Sequence, residues 1–176
     1  LVEQGGIVPV EDKLQAIAAD SKMVNASISG ETSGGGLERL PALLERHQPS
    51  HLILELGGND GLSVYKFSQT RQNLNAIISL ALEQNINVML IGVRLPPNLG
   101  LLYNQRFQQI FEQLAEQFPV AYLARFLEGV AADKPEYMQQ DGIHPTALAQ
   151  PLLANKVFSI FQNHYLSGTL SSKSSN

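Results

Sequence analysis

The chain has 176 residues, 44% of them hydrophobic and 16% charged, with 14 Gly and 9 Pro, a composition that fits one soluble globular domain rather than a disordered or fibrous chain. Its formal net charge of -4, with no run of like charge and no basic stripe, lacks the footprint of a nucleic-acid binder, so no nucleic-acid partner is expected. The absence of cysteine excludes disulfides, thiolate metal sites and a cysteine nucleophile.

The opening stretch, "LVEQGGIVPVEDKLQAIAA", reads as the loop and helix that follow a first strand, with the helix over about 7 to 19 and Leu14 and Ile17 on its buried face. No apolar run approaches the roughly 20 residues that span a bilayer, so no integral membrane segment is expected. No signal peptide is visible, but the chain opens on Leu1 rather than Met, so this says little about compartment. Next come a strand, "KMVNAS" (22 to 27), a helix over about 36 to 47, and a strand, "HLILEL" (51 to 56). A helix over 68 to 84 follows, with Leu74, Ile77, Ile78, Ala81 and Leu82 at helical spacing on one stripe.

The strand "VMLIGV" (88 to 93), a helix over 101 to 118 and the strand "VAYLA" (120 to 124) complete the alternation. Near-continuous apolar strands separated by helices predict a parallel sheet buried on both faces. A last helix occupies about 146 to 163. Pro151 would break an interior turn at roughly 3 kcal/mol, so the helix is expected to start near Ala147 to Gln150, with Leu152, Leu153, Val157, Ile160 and Phe161 on its buried face. The final "SGTLSSKSSN" cannot repay its own ordering entropy. The expected organisation is one domain over 1–166 and a disordered tail over 167–176.

Polar groups gather where strands end, which is where open α/β sheets build their sites. In "NASISGETS" (25 to 33) Gly30 follows a short strand, and in "ELGGNDG" (55 to 61) two glycines turn the chain and leave Asn59 as an amide donor. Together Gly30 and Asn59 could form an oxyanion hole. In "DGIHP" (141 to 145) Asp141 stands three places before His144. A carboxylate beside an imidazole fixes its tautomer and steadies the imidazolium. The plainer alternative makes Asp141 a turn residue and His144 a cap before Pro145. Asp60 is expected to shape its turn by accepting backbone N–H bonds. His47 and His51 are expected at the surface, and no set of residues has metal-ligand spacing.

The blocks "VNASISGETSGGGLERLPALL", "LELGGNDG", "VRLPPNLG" and "MQQDGIHPTALAQPLLA", in this order, resemble the SGNH or GDSL hydrolase superfamily, in particular its bacterial thioesterase I/protease I/lysophospholipase subgroup. The resemblance runs from about Leu1 to Phe161. It implies a flavodoxin-like α/β/α sandwich with a parallel sheet, which hydrolyses acyl esters and thioesters through a serine acyl-enzyme, without metal or cofactor. It also implies Asp141 and His144 as triad acid and base, Gly30 and Asn59 as oxyanion donors, Leu95 and Pro96 as acyl-chain contacts, and a mobile loop over 61 to 66. A bacterial periplasmic or secreted location goes with the subgroup.

The family's first block, Gly-Asp-Ser-Leu at the end of the opening strand, does not occur in the 176 residues, nor does a Gly-x-Ser-x-Gly elbow. The opening strand is therefore expected to be missing, leaving the chain inactive alone and open to strand swapping between copies. Ser29, Thr32, Ser33 and Ser63 are the hydroxyls near enough in sequence to stand in for the serine. The competing function is a non-catalytic acyl-binding or interaction protein on the same fold.

Overall fold

A computed structural model describes residues 13, 15–16, 20–63, 66–129, 134–140 and 144–166. They fall into two compact units: Ala26–Arg125, and a second that joins the residues up to Asn25 with those from Phe126 onward.

In the first unit the elements run α1 (Ser33–His47), β1 (His51–Leu54), α2 (Gly58–Leu62), α3 (Phe67–Glu83), β2 (Asn87–Ile91), α4 (Leu101–Gln117) and β3 (Ala121–Leu123). The strands form a parallel sheet in the order β1-β2-β3, with Leu54 opposite Leu90 and Ile91 opposite Leu123. The central strand explains why its sequence is almost wholly apolar. Val88 and Leu90 enter the main core, while the alternate residues Met89 and Ile91, at 1% and 2% exposure, are buried on the opposite face. The expected α/β architecture with a parallel sheet is the one present.

The apolar stripes do the packing. Leu74, Ile77, Ile78 and Ala81 of α3 and Phe107, Ile110, Phe111 and Leu114 of α4 are buried in one cluster with Leu40 and Leu44 of α1. Helix α1 starts three residues before the expected 36, because the Thr32 side chain caps it by accepting the N–H of Gly35 at 3.2 Å. Helix α3 stops where Asn85 turns left-handed at φ 60. The N–H of Asn85 then bonds the Leu82 carbonyl and that of Ile86 the Ala81 carbonyl, a Schellman cap that buries Ile86 and leads directly into β2.

The sequence "KMVNAS" is not a strand. Residues 21–28 lie outside any regular element, and Val24 and Ile28 are 43% and 54% exposed. An apolar run becomes a strand where one of its faces is buried, and these side chains face water. Gly30 therefore follows an irregular segment rather than the short strand expected before it.

Of the expected helix over 7 to 19, only Lys13, Gln15 and Ala16 are among the described residues, and they are helical. The second unit is otherwise built around α5 (Gln150–Phe161), preceded by a 3-10 turn at Ala147–Ala149 and followed by a π turn at Gln162–Leu166. Pro151 sits in the first turn of α5, as its chemistry requires. Leu153, Val157 and Phe161 are buried as expected, whereas Leu152 is 38% exposed and Ala154 takes the inward position. Ala149 and Leu153 form a small core with Phe126, Leu127 and Tyr137. The Lys156 ammonium donates to the carbonyls of Phe126 and Glu128. The tail over 167–176 lies outside the described residues.

Candidate active site

The segment carrying Gly30 is a tight turn. The Glu31 N–H bonds the Ile28 carbonyl at 3.2 Å, and Gly30 has φ +75. A Cβ there would meet nothing within 4 Å, so the backbone angle, not space, calls for glycine. Arg39 of α1 holds the segment from behind: its Nε bonds the Glu31 carboxylate at 2.7 Å and its Nη2 the Ala26 carbonyl at 2.6 Å.

After β1 the chain turns at Gly57, whose φ of +102 favours glycine and where a Cβ would press on Thr70 Cγ2 at 3.3 Å. The following stretch, read from the sequence as a turn, is the short helix α2, with Asn59 in its first turn. The Nδ2 of Asn59 donates to the Glu31 carbonyl at 2.9 Å. This bond brings the two expected oxyanion donors side by side. A carboxamide has two N–H donors, and the bond to Glu31 uses one of them.

Asp60, at 3% exposure, anchors this arrangement from below. Its Oδ2 accepts the Ser33 N–H at 2.8 Å, and its Oδ1 accepts the hydroxyls of Ser33 and of Thr70, the latter at 3.3 Å. Asn73 Nδ2 completes the set by donating to the Ser33 hydroxyl at 3.0 Å. A buried carboxylate thus receives the first N–H of α1 and joins the starts of α1, α2 and α3. Asp60 accepts a backbone N–H, but from Ser33 at the start of α1 rather than from its own turn, and neither its partner Thr70 nor Asn73, which bonds Ser33, was visible in the sequence, because both lie on a helix with no turn signal.

The residues expected to contact an acyl chain, Leu95 and Pro96, lie against the same short helix. Leu95 is 3% exposed, and its side chain packs so closely on Gly61 that a Cβ there would stand 2.6 Å from Leu95 Cδ2. Pro96 is partly exposed, and its carbonyl accepts the Asn104 side chain at 3.1 Å. Tyr103, which sequence reasoning did not single out, donates its hydroxyl to the Gly61 carbonyl at 2.8 Å. Gly30, Asn59, Leu95 and Pro96 are thus tied by direct contacts to α2 and its neighbours within one unit.

His144 belongs to the second unit, where backbone pairing sets its position. The Gln139 N–H bonds the His144 carbonyl at 2.8 Å, Met138 and Pro145 form an antiparallel bridge, and the Thr146 N–H bonds the Tyr137 carbonyl at 2.8 Å. Thr146 Oγ1 adds a bond to the Glu136 carbonyl at 2.9 Å. His144 is partly buried. It is not a helix cap: Thr146 precedes the 3-10 turn, and α5 starts at Gln150. Asp141 lies outside the described residues.

Two of the four hydroxyls weighed as substitutes for the serine are committed elsewhere: Ser33 is fully buried with its hydroxyl on Asp60, and the Thr32 hydroxyl caps α1. His47 is exposed; His51 is partly buried between Ser50 and Asn87, and that burial lowers its pKa. Glu55, just after β1, has its carboxyl pushed above the usual range by burial. Among the described residues no three His, Asp or Glu side chains gather as metal ligands, and no helix is long and apolar enough to cross a membrane.

Residues 4–150 match the model of the GDSL-like lipase/acylhydrolase family. Over 146 residues, 83% of this chain and 68% of the relative, the sequence is 47% identical to thioesterase 1/protease 1/lysophospholipase L1 of Escherichia coli strain K12. Over 155 residues, 88% of this chain and 77% of the relative, it is 43% identical to esterase TesA of Pseudomonas aeruginosa. Among solved structures, a crystal structure of TesA is similar with a TM-score of 0.86 at 41% identity, covering 91% of this chain and 88% of that one.

Proposed function

Because the chain belongs to the GDSL-like lipase/acylhydrolase family, we propose that it forms the body of a carboxylic ester and thioester hydrolase that works through a serine acyl-enzyme. The serine comes from a Gly-Asp-Ser strand joined ahead of Leu1, since no such block occurs in the 176 residues. Residues 1–166 act as one catalytic domain, which the family match across both compact units supports.

In this reading the serine hydroxyl attacks the substrate carbonyl while His144 takes its proton, and Asp141 steadies the imidazolium. The tetrahedral oxyanion is held by the Gly30 N–H and the second N–H of Asn59. His144 then gives the proton to the departing alcohol or thiol. Water attacks the acyl-enzyme by the same route, releasing the acid and restoring the serine. Leu95 and Pro96 contact the acyl chain.

The observation that carries this reading is the bond from Asn59 to the Glu31 carbonyl, which aims a preorganised donor beside Gly30 just after a parallel strand. The test is hydrolysis of p-nitrophenyl butyrate and of an acyl thioester by the chain extended with the Gly-Asp-Ser strand. Asn59→Ala in that polypeptide should lower kcat on the order of 10² to 10³-fold. Unchanged turnover in Asn59→Ala would remove it from the oxyanion hole. An extended, folded protein that binds acyl ligands without turnover would instead mark a binding protein. The same reading places the protein in the bacterial periplasm or outside the cell, which cell fractionation checks directly.

A further inference from the structure

Helix α4 opens with two leucines that face water. Leu101 and Leu102 are 73% and 71% exposed, and Leu62 at the end of α2 is 40% exposed. Tyr103 ties them to one place: its hydroxyl bonds the Gly61 carbonyl beside Leu62, and its ring lies 4.8 Å from that of Phe67. The leucines also stand proud of the sheet. Gly92, the first residue after β2, shares a small cavity with Gln108 and Glu112, so the seven residues of α4 before Gln108, about 10 Å at 1.5 Å per residue, project past the strand end.

The exposed charges on the segments that carry these leucines have one sign. No Asp or Glu occurs from 61 to 82 or from 84 to 111, although the whole chain carries a net -4. Lys66 lies next to Phe67, Arg94 next to Leu95 and Arg106 one turn beyond Leu102, and all three are exposed. Asp60, the nearest acid before this stretch, is buried on Ser33 and Thr70. Exposed apolar side chains ringed by cations match a surface that offers hydrocarbon beneath negative headgroups.

We propose that Leu62, Leu101 and Leu102, with Lys66, Arg94 and Arg106, form a docking rim for an anionic phospholipid bilayer. The rim sits beside the proposed acyl contact at Leu95, so under the hydrolase reading, on which its purpose rests, it sets the acyl site against the layer that holds the chains. Docking itself needs no turnover and is measured without it.

The test is flotation of the chain extended with the Gly-Asp-Ser strand, with vesicles of phosphatidylglycerol and phosphatidylcholine, compared with vesicles of phosphatidylcholine alone. The chain binds the anionic vesicles, and Leu101→Ser with Leu102→Ser weakens binding at least about tenfold. Arg94→Gln with Arg106→Gln weakens it by a similar factor and flattens its dependence on salt. These side chains are exposed, so circular dichroism and Tm stay at the wild-type values. A wild-type chain that does not float, or a leucine variant that floats as well as wild type, overturns the proposal. So does a wild-type dimer that the leucine variant splits while neither binds vesicles, which would make the rim a contact between copies. Hydrolysis of soluble p-nitrophenyl butyrate by the extended polypeptide separates the two ideas. Intact hydrolysis without flotation removes the rim alone, and flotation without hydrolysis removes only the hydrolase reading.

Discussion

The proposed oxyanion donors and the proposed base, His144, are held by different kinds of bond. Around Asn59 and Gly30 the bonds come from side chains, many of them buried: the Asp60 carboxylate, Ser33, Thr70 and Asn73 within, and Arg39 on Glu31 behind. Around His144 they run mainly between backbone groups of a short paired loop, with Thr146 Oγ1 and Gln139 Nε2 adding side-chain bonds to the Glu136 and Pro145 carbonyls at its exposed edge. The first arrangement makes position depend on a few residue types, and a buried carboxylate left without partners, or partners left without it, is costly. The second depends on chain path and tolerates most side chains except the one that does chemistry.

The largest effect expected from this contrast is chemical rather than structural. In the extended polypeptide, His144→Ala should lower kcat on the order of 10⁴-fold or more while leaving Tm within a degree or two. A large loss of stability instead would show that the loop depends on its side chain after all. Next comes Asp60→Ala, which strands the Ser33 N–H and two hydroxyls in a buried site. It should cost about 3 kcal/mol by urea unfolding and lower turnover only through the fraction unfolded or the misplacement of Asn59. A neutral result would break the claim that the donor side rests on this carboxylate.

Thr146→Val removes the shorter of two side-chain bonds in the histidine loop, the other running from Gln139 Nε2 to the Pro145 carbonyl at 3.2 Å, and should cost about 1 kcal/mol, with a loss of kcat smaller than that of Asn59→Ala. An effect equal to that of Asp60→Ala would erase the distinction. The smallest expected effect lies at the opposite end of β1. Burial lowers the pKa of His51 in the folded state below its ordinary value, so the unfolded chain takes up the proton first. The associated stability is present above about pH 6.5 and is lost as pH falls below it. His51→Gln should flatten the urea midpoint between pH 7.5 and 5.5 relative to wild type. A steeper profile would reverse the assignment.

The sequence was most readable where burial is two-sided. "VMLIGV" and "HLILEL" contain strands because continuous apolar runs fit a sheet covered on both faces, and Pro151 located the first turn of α5 because proline has no N–H to give. "KMVNAS" misled because strand propensity reflects packing that a local run does not contain. At the proposed site, the left-handed turns at Gly30 and Gly57 were recognisable from turn chemistry, and Asn59 was singled out by its place after the strand and by resemblance. The Asp60 cluster was not, since its members stand 10 to 40 positions apart and meet only when three helices start at one place. Tyr103 was hidden in the same way, 42 positions from the carbonyl it bonds.

The bond between Asn59 and Glu31 has a consequence for how such a chain wears mutation. A dipole already aligned when negative charge arrives needs little rearrangement during reaction, because its alignment was completed when the polypeptide folded. The same carbonyl belongs to a segment clamped by Arg39. A lineage that drifted at Arg39 would keep its sheet and helices yet let that dipole wander, and would grow slow long before it became unstable.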